Sequence, residues 1–279
     1  MKWWYVLRRL INKCLFEFSF LMRRSRVWGV PDDLMLEPAS VCNLGCPTCP
    51  TGAGTLNRPG ALMDFNLYKK IIDEIWPTTS KIRLWNLGEP FMHKDVYRMI
   101  RYAKDRHIKV LTSTNGHYFQ EPDAPKKVVE SGLDFMIVSM DGATQESLAK
   151  FRIGAKLDRI VKDVQRVIEY RNSIGSKTPK VEFQFIAMKH NIHEIKEARD
   201  LAEIMKVDVF RLKTVGINAS DPKADELIRT YLPEDSRYTR YPNAEAIKDI
   251  SHHIDKLDCK RPWRHSVINQ DGSVVSCCY

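Results

Sequence analysis

The chain has 279 residues, of which 43% are hydrophobic and 28% charged, and its formal net charge at pH 7 is +9. This composition excludes an intrinsically disordered chain, a collagen-like protein and a disulfide-stabilised miniprotein, because each of these requires a far more biased composition. No stretch of about 18 uncharged apolar residues occurs, so no helix is expected to span a membrane.

Residues 1–30 carry most of the positive charge. Seven basic residues and one acidic residue, Glu17, give this segment a net charge of +6, and large apolar side chains lie between the charges. Because Glu17 interrupts the apolar part and no small-residue cleavage site follows, a secretory signal peptide fits poorly. Two interpretations stay open: a basic amphipathic helix that contacts an anionic membrane surface, and a helix that packs on the following domain. Cys14 is predicted to be a buried small hydrophobe within it.

Residues 31–217 alternate between strand and helix patterns. Such alternation predicts an α/β fold with a parallel sheet and right-handed crossovers, either open or closed into a barrel. The predicted strands are Leu34–Glu37, Lys81–Leu87, Lys109–Thr114, Phe135–Met140, Val181–Met188 and Val207–Val215. The predicted helices are Asp64–Trp76, Asp95–His107, a short helix closing at Lys126–Ser131, Leu157–Arg171 and Ile192–Met205.

Four loops directly follow predicted strands and are polar or rich in glycine. They are a cysteine-containing loop after the first strand, Gly88-Glu89-Pro90, Asn115-Gly116 and Asp141-Gly142. In folds with parallel strands, functional sites assemble where the carboxyl ends of the strands meet. We therefore expect these four loops to lie along one edge of the sheet.

The segment 218–258 is polar and contains prolines, and we interpret it as a connector with one helix at Ala224–Tyr231. From residue 259 onward, two short apolar runs flank Asp271-Gly272, which is a strong hairpin signal. The predicted strands of this hairpin are His265–Asn269 and Ser273–Ser276. Because the chain stops one residue after Cys278, beside the end of this hairpin, we expect the sequence to be a truncated part of a longer protein.

Seven cysteines are present, and three of them, Cys42, Cys46 and Cys49, form a C-x3-C-x2-C pattern. An odd number with short spacings indicates metal ligation in a reducing compartment rather than disulfide bonds. A structural zinc site uses four ligands, and no fourth cysteine or histidine is close in sequence, so zinc would need a distant histidine. A [4Fe–4S] cluster held by only three cysteines keeps one iron open to another ligand.

This pattern resembles the radical SAM superfamily. The cysteine triplet after the first strand, Gly88-Glu89-Pro90 after the second, Asn115-Gly116 after the third and Ser139–Gly142 after the fourth match elements of that family, and Arg152 follows at a matching place. The resemblance covers about residues 32–217. One departure concerns Thr48, because the family usually has an aromatic residue directly before the third cysteine.

The resemblance implies a partial (β/α)6 TIM-type barrel with an N-terminal helix. It also implies a [4Fe–4S] cluster on Cys42, Cys46 and Cys49, to which S-adenosylmethionine (SAM) binds through its amino and carboxylate groups. An electron donor such as ferredoxin or flavodoxin would reduce the cluster, and cleavage of SAM would start hydrogen abstraction from the substrate. The implied cofactor-binding residues are Gly88, Glu89 and Pro90 for the methionine amino group, Ser139 for the ribose or carboxylate, and Arg152 for the carboxylate. No general acid or base is assigned.

The C-terminal residues 259–279 resemble the start of a SPASM or twitch domain. This resemblance implies an auxiliary [4Fe–4S] cluster with Cys259, Cys277 and Cys278 among its ligands; a redox-inert or zinc-binding hairpin is the alternative.

The expected substrate is a peptide or protein, or a sugar-type molecule, which would be oxidised or crosslinked. The alternative function is a non-catalytic iron–sulfur or zinc-binding protein, such as an electron carrier.

The expected location is cytoplasmic, either free or peripheral at the inner membrane surface. No nucleic-acid partner is expected, because the basic excess is local and no aromatic–basic RNA motif occurs.

Overall fold

The structure is a computed structural model that describes residues 3–241 and 261–276. Eight strands form one sheet in the order β6-β5-β4-β3-β2-β1-β7-β8, and all neighbouring pairs from β6 to β7 are parallel. This arrangement confirms the predicted α/β fold of the partial (β/α)6 barrel type. The strands are β1 (Asp33–Leu36), β2 (Lys81–Leu84), β3 (Lys109–Thr114), β4 (Phe135–Ser139), β5 (Lys180–Ala187), β6 (Val209–Thr214), β7 (His265–Ile268) and β8 (Val274–Val275).

Helices connect the parallel strands and cover the sheet. Most of the strands and helices bury apolar residues at their own period, as in Met136 and Val138 of β4 and Ile160, Val164 and Val167 of α6. The helices are α1 (Trp4–Leu21), α2 (Phe65–Ile75), α3 (Val96–Asp105), α4 (Ala124–Glu130), α5 (Gln145–Phe151), α6 (Leu157–Ser173), α7 (Ile195–Ile204), α8 (Ala224–Tyr231) and α9 (Arg261–Arg264). Among these, α5 and α9 were not predicted from the sequence.

Strand β2 is shorter than predicted, because the chain leaves the sheet after Leu84. The buried carboxylate of Glu37 accepts hydrogen bonds from the backbone N–H of Leu87 at 3.0 Å and from the Asn86 side chain at 3.3 Å. Because the Glu37 carboxylate accepts the Leu87 N–H, this backbone donor does not need a partner in a neighbouring strand. Residues 85–87 therefore form a loop at the carboxyl end of the strand.

The predicted C-terminal hairpin is confirmed, since β7 and β8 pair antiparallel. Strand β7 also pairs parallel with β1, with His265 opposite Asp33 and Val267 opposite Met35, so the hairpin extends the sheet of the barrel. Glu37 strengthens this junction, because its carboxylate also accepts a hydrogen bond from the Gln270 backbone N–H at 3.3 Å. The cysteines Cys259, Cys277 and Cys278 lie outside the described residues, as do residues 242–258 of the predicted connector.

Helix α1 packs against the end of the barrel where the strands begin. The Arg9 guanidinium donates hydrogen bonds to the carbonyl oxygens of Trp76 and His107, at 3.0 and 3.1 Å. The Asn12 side chain exchanges two hydrogen bonds with the backbone of Val30, at 2.8 and 2.9 Å. Since Val30, Trp76 and His107 precede β1, β2 and β3, the helix lies at the amino-terminal ends of these strands.

The prediction for Cys14 is wrong, because this residue is exposed on α1. Helix α1 is apolar on more than one side, so the sequence did not show which side would face the core. In the described ranges, no helix has the length and apolar character required to cross a membrane.

Candidate active site

A cavity of about 210 Å³ lies at the carboxyl-terminal ends of β1 to β4, where the sequence analysis placed the functional loops. The loops after β1, β2 and β3, the last residues of β3 and β4, and Arg152 at the end of α5 form its walls. The lining residues are Cys42, Leu44, Cys46, Cys49, Gly52, Trp85, Asn86, Gly88, Glu89, Ser113, Thr114, Asn115, Ser139 and Arg152.

The three cysteines of the C-x3-C-x2-C pattern all line this cavity as free thiols. The Cys42 sulfur accepts hydrogen bonds from the Leu44 backbone N–H at 3.5 Å and from the Asn115 amide at 3.8 Å. Burial raises the pKa of the Cys42 and Cys46 thiols, while the guanidinium of Arg152 acts in the opposite direction at Cys46. The site thus contains three thiols and a fixed positive charge beside one of them.

Glu89 is a buried carboxylate with three hydrogen-bond donors around it. It accepts hydrogen bonds from the backbone N–H of Asn115 at 2.7 Å, the Thr114 hydroxyl at 2.8 Å and the Phe91 backbone N–H at 3.1 Å. Burial raises its pKa to about 7, although these three donors favour the charged form. Glu89 therefore joins the loop after β2 to the end of β3, and it presents a carboxylate at the cavity.

Gly88 allows the loop after β2 to contact the loop that leads into the cysteines. Its φ angle is +92°, and a Cβ atom there would lie only 2.5 Å from the Ala39 carbonyl oxygen and 2.7 Å from that of Val41. The next residue, Glu89, donates its backbone N–H to the Val41 carbonyl at 2.8 Å. Only glycine combines this backbone conformation with such a close approach.

Arg152 follows the last residue of α5, a helix that the sequence analysis did not predict. Its Nε lies 2.6 Å from Oδ2 of Asp141, and its Nη1 lies 3.8 Å from the Cys46 sulfur. Burial by itself would lower the pKa of Arg152, but the charges of Asp141 and Cys46 outweigh this effect and raise it. The guanidinium therefore stays charged and is held in one orientation toward the cavity.

The other predicted site residues are divided between the cavity and its surroundings. Ser139 lines the cavity at the end of β4. Pro90 does not line it and is buried at the start of the 3-10 turn Pro90–Met92. His93 has a structural role, because its buried ring contacts the Met63 carbonyl oxygen at 2.7 Å.

Sequence reasoning missed several features of the site, among them Trp85, Thr114 and the role of Asp141 as the partner of Arg152. Trp85 was assigned to a strand that in fact ends at Leu84, and it lines the cavity from the loop after β2. The signal that could have identified all three is their position at or directly after the end of a parallel strand.

The three cysteine thiols that line the cavity fit an iron–sulfur cluster. Thiolates are the ligands of such clusters, and the remaining polar lining groups are a carboxylate, a guanidinium, amides and hydroxyls. In residues 3–241 and 261–276, no three or more His, Cys, Asp or Glu side chains are placed so that they could hold a metal ion. The fit to a cluster therefore depends on the shared cavity and the thiol chemistry.

Comparisons with known proteins agree with this assignment. A family model described as the radical SAM superfamily matches residues 36–202. The chain is 29% identical over 170 residues to a tungsten-containing aldehyde ferredoxin oxidoreductase cofactor-modifying protein of Pyrococcus furiosus, a match that covers 59% of this chain and 46% of that protein. It is 32% identical over 124 residues to an AdoMet-dependent heme synthase of Methanosarcina barkeri, covering 44% of this chain and 35% of that protein. The chain thus spans less than half the length of these relatives.

The fold is similar to that of a solved structure, Streptococcus suis SuiB bound to the precursor peptide SuiA. The TM-score is 0.64 at 15% sequence identity, and the match covers 96% of this chain and 64% of SuiB. At this identity the similarity establishes the fold.

Proposed function

The chain belongs to the radical SAM superfamily, and from this membership we propose that it is an enzyme that cleaves SAM reductively and abstracts hydrogen from a peptide or sugar-type substrate. One observation carries the proposal. Three free thiols share a cavity with a buried carboxylate, a half-buried guanidinium and a strand-end hydroxyl. These groups come from four distant segments of the sequence.

Each of these groups has a role in the proposed chemistry. Cys42, Cys46 and Cys49 hold a [4Fe–4S] cluster, and when bound it supplies one electron for the cleavage of SAM. Glu89 and the backbone of Gly88 hold the amino group of the methionine part. The three donors partly oppose the burial that raises the pKa of Glu89, and an ammonium group beside the carboxylate would favour the charged form further.

Arg152 and Ser139 complete the binding site for SAM in this proposal. Arg152 binds the methionine carboxylate through a charge-assisted hydrogen bond, and Asp141 holds the guanidinium in place for this task. Ser139 donates a hydrogen bond to the ribose or the carboxylate. Trp85 lines the same cavity, and because Thr48 replaces the aromatic residue that the family usually has, we assign the adenine contact to Trp85.

We favour a peptide or protein over a sugar as the substrate. In support, SuiB shares this fold over almost the entire chain and was solved with its precursor peptide. The proposal also includes an electron donor such as ferredoxin or flavodoxin. The proposal further includes an auxiliary cluster with Cys259, Cys277 and Cys278 as ligands.

The test is release of 5′-deoxyadenosine by the purified chain. After anaerobic reconstitution with iron and sulfide, SAM and dithionite are added, and the product is measured by mass spectrometry. We expect turnover that is absent from the Cys46→Ala variant. A chain that binds zinc, or one that is fully loaded with cluster but releases no 5′-deoxyadenosine, would indicate a metal-binding or electron-transfer protein instead. With a substrate in hand, transfer of deuterium from labelled peptide or sugar into 5′-deoxyadenosine would identify the substrate class.

A further inference from the structure

Helix α1 has two different faces on opposite sides, of which the outer one is apolar. One face packs on the barrel and contains Tyr5, Arg9, Asn12, Phe16 and Ser19, which are buried or half-buried. These positions repeat every three or four residues, as one face of a helix requires. The contacts of Arg9 and Asn12 described above fix this face to the protein, so the barrel already determines how the helix is oriented.

The opposite face forms an apolar stripe that the described part of the chain leaves uncovered. Its positions also repeat every three or four residues, so they lie in one line along the helix. Trp3 is 83% exposed, Leu10 57% and Leu21 74%. This outer stripe consists of Trp3, Leu7, Leu10, Cys14, Phe18 and Leu21, all of which are exposed. A run of this length is far more than the isolated exposed apolar residues that are normal on a protein surface.

Positive charges border the outer stripe. Lys13, Arg23 and Arg26 are exposed in and after the helix. Two further arginines contact tryptophan rings: the Arg8 guanidinium lies 4.9 Å from the ring centre of Trp4, and that of Arg24 lies 4.3 Å from the ring centre of Trp28. Six of the seven basic residues in 1–30 lie in the described part of the chain. Of these six, only Arg9 attaches the helix to the barrel through hydrogen bonds of its side chain.

We propose that the outer stripe of α1 binds the surface of a membrane that contains anionic lipids. An apolar helix face inserts its side chains at the boundary between headgroups and acyl chains, while lysine and arginine side chains contact the anionic headgroups. Tryptophans favour the same boundary, because their rings are apolar and their N–H groups are polar. The charge of +6 in residues 1–30 complements this surface, whereas a second copy of the same stripe would bring like charges together.

The test is co-sedimentation of the whole chain with lipid vesicles. One set contains phosphatidylcholine alone, and the other contains about 30% phosphatidylserine or phosphatidylglycerol as the anionic lipid. We expect binding to the anionic vesicles to be at least about tenfold stronger. Raising the salt concentration from about 0.1 M to about 1 M should weaken this binding, because the screening length falls from about 10 Å to about 3 Å.

Variants separate the outer stripe from the rest of the surface. The double variant Leu10→Glu/Phe18→Glu should reduce binding at least about tenfold, since it places two charges on the inserting face. Ile204→Glu is the matched control, because Ile204 is an equally apolar residue that is 77% exposed on α7, and we expect it to bind like the unchanged chain. Equal circular dichroism spectra and melting temperatures check that each variant is folded.

Three results would overturn the proposal. They are the absence of binding to both vesicle types, equal binding by the double variant and the unchanged chain, and a concentration-dependent dimer that the double variant abolishes. The last result would assign the outer stripe to contact between two copies of this chain.

Discussion

The carboxylate of Asp141 and the guanidinium of Arg152 form an ion pair in which Oδ2 and Nε are 2.6 Å apart, and the Asp141 side chain is completely buried. The other carboxylate oxygen accepts the backbone N–H of Ile186 at 2.7 Å. Asp141 therefore connects the end of β4 to β5 and also sets the direction of Arg152. Because Arg152 reaches the Cys46 sulfur at 3.8 Å, one buried carboxylate helps to orient a charge at the cysteine site.

We predict that Asp141→Asn destabilises the fold strongly. The substitution leaves the guanidinium of Arg152 without its buried counter-charge, and removal of one partner of such a pair costs about 3 kcal/mol or more. The free energy of unfolding, measured with urea, should fall accordingly. Lys150→Gln is the control, since it removes an exposed ion pair to Glu146 and should leave the unfolding curve unchanged. Equal stability of both variants would contradict a structural role for the Asp141–Arg152 pair.

We predict that Glu89 makes the stability of the cluster-free protein depend on pH. Its pKa is raised from 4.5 to about 7 by burial, so between these values the native state holds a proton that the unfolded state has lost. Stability from this group is therefore full below about pH 4.5 and decreases as the pH rises to about 7, with a slope of at most about 1.4 kcal/mol per pH unit.

Glu89→Gln provides the comparison for this prediction. The difference in unfolding free energy between the unchanged chain and the variant should decrease from pH 5 to pH 7, as measured by urea unfolding at about unit steps of pH. Buried histidines such as His117, whose pKa is lowered by burial, titrate in both proteins and cancel in the difference. A difference that does not vary with pH would show that Glu89 has an ordinary pKa.

We predict that the C-terminal hairpin is part of the barrel core. Val267 in β7 is completely buried, whereas Val274 in β8 is 63% exposed. Val267→Ala should lower the free energy of unfolding by about 2 kcal/mol, because it leaves a cavity between β7 and its neighbours. Val274→Ala, the same substitution on the adjacent strand, should have little effect. If the two variants have equal unfolding midpoints, the hairpin is not integrated with the barrel.

We predict that the thiol of Cys46 is required for cluster binding, while that of Cys14 is not. After anaerobic reconstitution, Cys46→Ala should lose the visible absorbance of the cluster and most of the bound iron, because two thiolates remain where three are needed. Cys14→Ala, which removes an exposed thiol on α1, should bind as much iron as the unchanged chain. Iron analysis that gives equal values for both variants would remove Cys46 from the ligand set.

Local sequence signals were sufficient to predict most of the strands and helices of the barrel. Most strands and helices from residue 33 to 214 follow the hydrophobic periods, and Gly88 and Gly116, both with positive φ, lie in the loops that follow β2 and β3. Ser139 and Arg152 were assigned from the resemblance to the radical SAM family, whereas the same local signals placed the four loops that follow strands, including Glu89, near one edge. They could do so because the carboxyl ends of parallel strands meet in any such fold.

Other features depend on contacts that the local sequence does not contain. The pairing of Asp33 with His265 joins residues more than 200 positions apart, so no local pattern indicated that β7 extends the sheet. The exposure of Cys14 was missed because the packed face of α1 contains Arg9, Asn12 and Ser19, whereas the outer face is apolar, so hydrophobicity did not indicate which side is buried. Residues 85–87 were assigned to β2, since the sequence does not show that Glu37 binds the donors of Asn86 and Leu87.

The position of α1 determines how the enzyme would face a bilayer. Helix α1 lies where β1, β2 and β3 begin, and the cavity lies where these strands end. The length of β3, which has six residues, therefore separates the helix from the cavity by about 20 Å. With the outer stripe of α1 on the lipid, the cavity mouth points into the aqueous phase. A substrate confined to the plane of the headgroups would meet the wrong end of the barrel, whereas a polypeptide arriving from solution would have direct access.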